Sequence, residues 1–154
     1  MKRRIEIEKR LRRLTLFGSD GAVLLNCRIA LGRQPVGHKR AEGDGKTPEG
    51  RYFICLKRET GKFGPALGIS YPSLADARSA VADGRLDASL LPLFEESERT
   101  QKRPPWGTPL GGEIYLHGGG AAFDWTAGCV ALDQADMDRL FALCVEGDEA
   151  IILP

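Results

Sequence analysis

Short apolar runs joined by glycine-bearing turns limit this chain more than any other feature. Arg13-Leu-Thr-Leu-Phe17 and Ala22-Val-Leu-Leu-Asn-Cys-Arg-Ile-Ala-Leu31 are both strand-like, and only Gly18-Ser-Asp-Gly21 separates them. An Asp-Gly pair between two such runs signals a β-hairpin. Ile5 and Ile7 alternate with Arg4, Glu6 and Glu8, the pattern of a strand with one solvated face. Arg51 to Leu56 and Glu149 to Leu153 read as further strands, and two short ones are expected within Gly111–Leu116 and Gly128–Leu132. Helical signals are fewer. Ser73 to Gly84 has a capping serine, an acid at the third position and a glycine stop. Asp133 is expected to cap a helix in which Met137, Leu140, Phe141 and Cys144 share one face. Leu86 to Trp106 reads as an excursion from the sheet with a helical piece. Strands arriving as hairpins, without βαβ alternation, favour a mainly-β sheet or barrel with one or two packed helices.

The chain has 154 residues, the size of one domain, and is read as one unit over 1–154 with residues 1–29 as N-terminal strands. A net charge of +1 supplies no field for nucleic acid, and no such partner is expected. No run of eighteen apolar residues is present, so no spanning helix is predicted. The opening Met1-Lys-Arg-Arg is basic, but no apolar h-region follows, so no export signal is visible. A monomer is expected. Two histidines and four cysteines without a C-x-x-C give a structural zinc site almost no support, and neither metal nor cofactor is expected. Cys27, Cys55 and Cys144 sit in apolar patterns and read as core. Cys129 does not.

Ile114-Tyr-Leu-His-Gly-Gly-Gly120 brings a histidine to the end of a strand, and Thr126-Ala-Gly-Cys129 opens another. Two adjacent strands joined by this loop bring an imidazole and a thiol together. A free thiol holds little thiolate at neutral pH, and a neighbouring imidazole is the group that activates it and later protonates a leaving amine. Attack on a carbonyl also needs backbone N–H donors at the developing oxyanion. Gly128 leaves room for close approach, so the amides of Ala127, Gly128 and Cys129 are the expected donors. By spacing alone, a core cysteine beside an incidental histidine is an equal alternative.

His117-Gly118 followed by Thr126-Ala-Gly-Cys129 resembles the active-site motif of L,D-transpeptidases with a YkuD-like catalytic domain. Gly43-Asp-Gly-Lys-Thr-Pro-Glu-Gly50, Leu67-Gly-Ile-Ser-Tyr-Pro72 and Asp124-Trp-Thr-Ala-Gly-Cys-Val-Ala-Leu132 extend the resemblance from about Ala30 to the C-terminus. It implies a β-sandwich or barrel-like fold. It implies an acyl-enzyme on Cys129 formed from a peptidoglycan stem peptide, with His117 as base. The bond cut lies between the L-centre of meso-diaminopimelate and a terminal D-alanine, and the acyl group passes to an amine. Carbapenems are implied as covalent inhibitors, and the cell envelope or periplasm as location, although without a visible signal a cytoplasmic site stays open. The commoner family pattern has arginine two residues after the cysteine, where this chain has Ala131, and the loop from His117 to Cys129 is short.

Two alternatives follow from those departures: a carboxypeptidase or amidase that uses water as acceptor, and a wall-binding domain without catalysis. Gly118, Tyr71, Trp125 and Thr126 are candidate substrate contacts, each with an ordinary structural reading beside it. Asp44, Lys46, Thr47 and Glu49 read as structural, with Thr47 and Glu49 bonding the backbone around Pro48. His38 reads as a surface loop residue, and Arg33, Lys39 and Arg51 as exposed cations that can meet a stem-peptide carboxylate.

Overall fold

The Asp-Gly hairpin forms. In the computed structural model, which describes residues 2–154, β2 (Arg13–Phe17) and β3 (Val23–Ala30) pair antiparallel across it. β1 (Arg4–Glu8) lies antiparallel to β2, and its alternation is as expected: Ile5 and Ile7 are buried while Arg4, Glu6 and Glu8 are half-buried. The long β4 (Gly50–Gly61) turns tightly into β5 (Gly64–Ile69). β6 (Tyr115–His117), β7 (Val130–Leu132) and β8 (Glu149–Leu153) complete a closed barrel in the order β1-β2-β3-β7-β6-β5-β4-β8. β8 closes it, parallel to β1 on one side and antiparallel to β4 on the other.

Among the described residues the chain is mainly β, with three α-helices: α1 (Leu74–Ala82), α2 (Leu91–Thr100) and α3 (Gln134–Leu143). Ile5, Leu14, Leu16, Ile29, Ile54, Leu67, Leu116, Val130 and Ile152 fill the barrel core, and Met137 and Leu140 of α3 pack against them. α1 and α2 close a smaller cluster around Ala77, Ala80, Phe94 and Leu110, which is the expected excursion from the sheet. No helix among the described residues is long and apolar enough to cross a membrane.

Ser73 caps α1 in a full capping box with Asp76, and Gly84 takes the left-handed conformation just past the helix end, both as expected. Four expectations need correction. β4 runs five residues past Leu56, and β5 was not expected as a strand at all, because Gly64, Pro65 and Gly68 carry little β-propensity. Pairing with β4 on one side and β6 on the other supplies what propensity lacks. Asp133 occupies the N-cap position of α3 without capping it, since its carboxylate bonds Arg28 and the Ala121 N–H instead. Cys144 lies just beyond α3 in extended backbone, yet remains fully buried.

Candidate active site

β6 and β7 are parallel neighbours, with Leu116 opposite Val130 and His117 opposite Ala131. One step back, the same register sets Tyr115 opposite Cys129, and the Tyr115 N–H reaches Cys129 Sγ at 3.4 Å. The thiol in turn faces the Glu113 carbonyl at 3.6 Å. Glu113 holds a left-handed backbone (φ 53°), a conformation that costs a non-glycine residue roughly 1 kcal/mol. His117 and Cys129 line one cavity of about 170 Å³, together with Tyr115, Ala66 and the β4–β5 hairpin residues Arg58, Gly61, Lys62, Phe63 and Gly64.

His117 is held from several sides. Its Nδ1 lies 2.6 Å from the Gly118 carbonyl. A carbonyl only accepts, so Nδ1 carries the proton and Nε2 keeps its lone pair. Phe63 stacks on the imidazole with centroids 4.6 Å apart and planes 14° off parallel, and Trp125 meets both rings edge-on. Trp125 is fixed by its own N–H to the Gly120 carbonyl. Burial lowers the His117 pKa, partly offset by the bond to Gly118. Burial also raises the Cys129 pKa, while the Tyr115 N–H and the Lys39 ammonium pull it down. Both shifts disfavour charge, so the resting pair is a thiol and a neutral imidazole rather than a thiolate–imidazolium pair.

Cys129 differs from the other cysteines in access. Cys27, Cys55 and Cys144 are buried, whereas Cys129 is partly exposed, although burial raises its thiol pKa as it does theirs. Gly128 ahead of it is constrained twice: φ is +144°, and a Cβ there would lie 2.8 Å from the Lys46 carbonyl oxygen.

The family model for the L,D-transpeptidase catalytic domain (YkuD) matches residues 2–152. The chain belongs to this family. The match begins well before Ala30, because β1 to β3 are staves of the same barrel. No curated protein matches the sequence. Among solved structures, a mutant form of the helical cell shape determining protein Pgp2 from Campylobacter jejuni superposes with a TM-score of 0.69 at 22% identity, over 98% of this chain and 46% of that one. An L,D-transpeptidase from Mycobacterium smegmatis gives 0.58 at 12% identity, over 99% and 59%. An LD transpeptidase solved in complex with imipenem gives 0.57 at 12% identity, over 99% and 59%. At these identities the likeness is one of fold, and the chain spans about half the length of the structures it matches.

Within this YkuD domain the other expected site residues divide. Trp125 reaches the site through His117 and Phe63. Thr126 is buried and holds the turn: its hydroxyl donates to the Cys129 carbonyl and accepts the Gly128 N–H at 3.1 Å. That bond occupies the Gly128 amide, one of the three expected oxyanion donors. Gly118 is buried against the side-chain amide of Gln134, and its contribution is the carbonyl that orients His117. Tyr71 does not line the groove. It is 1% exposed, and its hydroxyl donates to the Leu110 carbonyl within the core.

The loop before β4 is structural, as expected, but through different partners. Asp44 accepts from three backbone amides and from Lys39, while Thr47 accepts the Gly32 N–H. Glu49 pairs with the buried Lys9 at 3.0 Å rather than with backbone near Pro48. His38 is no free surface residue: Nδ1 accepts the Glu49 N–H and Nε2 donates to Asp76. Lys39 is buried, contrary to expectation, and neither Arg33 nor Arg51 lines the Cys129 cavity. Sequence reasoning missed Arg58, Lys62, Phe63 and Tyr115. The signal for the first three was Gly61-Lys-Phe-Gly64, a two-residue turn flanked by glycines.

Proposed function

We propose that this domain is a peptidoglycan-directed acyltransferase in which Cys129 is the nucleophile and His117 the general base. The observation that carries the reading is the shared cavity: the one partly exposed thiol and a proton-accepting imidazole line it together, in a chain of the L,D-transpeptidase family. Since both groups rest neutral, proton transfer accompanies attack. Sγ bonds to the carbonyl carbon after meso-diaminopimelate while His117 Nε2 takes the thiol proton. Negative charge gathers on the carbonyl oxygen, where the Ala127 and Cys129 amides are the donors left free by Thr126. The C–N bond then breaks, the proton passes from His117 to the departing D-alanine amine, and a thioester remains on Cys129. An acceptor amine attacks that thioester, gives its proton to His117, and releases the thiol. The imipenem-bound neighbour supports carbapenems as covalent inhibitors of this site, and the substrate places the domain's work in the cell envelope.

Water as acceptor completes the same cycle and gives a carboxypeptidase or amidase. Ala131 favours keeping this second reading: it is fully buried against Ala30 and Ala121, so no guanidinium emerges at that position to hold an acceptor. Mass analysis of products from purified tetrapeptide muropeptides, with and without a D-amino acid, tests both. Exchanged or crosslinked products support the transferase, and tripeptide alone supports the hydrolase. Unchanged substrate in both arms would rule out the two together.

A further inference from the structure

The strand register places four residues in one row across the sheet: Arg58 opposite Ala66, Ala66 opposite His117, and His117 opposite Ala131. Residues in register on neighbouring strands project to the same face. The row therefore holds a guanidinium at its β4 end, the imidazole in the middle, and a methyl group at its β7 end, where the commoner family pattern has arginine. Arg58 is exposed and lines the Cys129 cavity, as does Lys62. Neither has an ion-pair or hydrogen-bond partner among the described residues, and no carboxylate lines that cavity. The Arg58 guanidinium sits 5.5 Å over the Tyr115 ring, a cation–π contact that keeps it turned toward the site.

We propose that Arg58, with Lys62 beside it, binds a carboxylate of the acyl donor. This rests on the acyl-donor reading above. The acyl donor carries two carboxylates that a cation beside Tyr115 can meet. That of the leaving D-alanine is three bonds from the scissile carbonyl carbon, and the distal one of diaminopimelate is six bonds away. Peptides amidated at one or the other tell them apart.

The test uses Cys129→Ala protein, in which no turnover interferes, and calorimetric binding of a stem tetrapeptide. Adding Arg58→Gln is expected to weaken binding about tenfold, with Arg58→Lys recovering part of the loss. Amidating one of the two carboxylates, that of the diaminopimelate side chain or that of D-alanine, is expected to make both proteins bind equally, and the one that does so is the partner of Arg58. Arg58 dependence that survives both amidations overturns the proposal. Equal affinity of both proteins for the unmodified peptide, or no binding by either, overturns the proposal. Turnover by the unmodified enzyme is a separate readout: Arg58-dependent binding without turnover would remove the reaction and leave the subsite.

Discussion

At the scale of single residues, the site is set by desolvation working on two groups in opposite directions. The Cys129 pKa is raised and the His117 pKa lowered, so near neutral pH neither is charged. Two probes separate this state from a preformed ion pair. Acylation by a carbapenem needs the imidazole free of its proton, so its rate is expected to rise as pH passes through a value below about 6.5 and then level off. Alkylation by iodoacetamide needs the thiolate itself, so its rate is expected to keep climbing above the ordinary thiol range, near pH 8.5. A thiolate–imidazolium pair would instead give fast alkylation at low pH. Gly128 is the other residue with a sharp expectation. Gly128→Ala forces a Cβ against the Lys46 carbonyl at a left-handed φ, and urea unfolding is expected to show a loss of about 2 kcal/mol or more.

At the scale of elements, the β4–β5 hairpin builds one side of the site. It covers the imidazole with Phe63 and brings Arg58 and Lys62 to the cavity. Phe63→Ala removes the stack and lets water reach the ring. The His117 pKa, followed by its proton resonances, is then expected to rise toward the ordinary value, with stability falling by about 1 kcal/mol. His117 and Cys129 were legible as candidates because both stand beside glycines at strand ends, but spacing alone left a core cysteine as an equal alternative, and it is the fold that brings them to one cavity. The hairpin was not, because β5 contains two glycines and a proline, and its strand character comes from neighbours distant in sequence. Tyr71 shows the same limit in reverse: a tyrosine in a matching segment looks like a groove residue, and only packing shows its hydroxyl spent on Leu110. The α1 cap was readable from Ser73 and Asp76, but the second use of Asp76 was not. Its carboxylate also accepts from Tyr52 and His38, joining α1 to β4 and the preceding loop. Asp76→Ala is therefore expected to cost more than the ~1 kcal/mol of a lost cap, which thermal or urea unfolding measures.

At the scale of the whole molecule, closure of the barrel holds β6 and β7 in the register on which the site depends. β8 makes the closing contacts from the far end of the chain, and Ile152, almost fully buried, anchors it. Ile152→Ala is expected to lower stability by about 2–4 kcal/mol and to reduce amide-exchange protection in β1, β4 and β8 together. Protection lost in β8 alone would mean that closure is not cooperative. The barrel also explains why one thiol of four is available: three lie in or against the core, and the fourth opens β7 at the cavity. The central claim, that this thiol is the acyl-accepting nucleophile, is tested most directly by weighing the intact protein after incubation with a carbapenem. The account predicts one added carbapenem mass on the unmodified protein and none on Cys129→Ala. No adduct on the unmodified protein, or an adduct that survives the substitution, would contradict it.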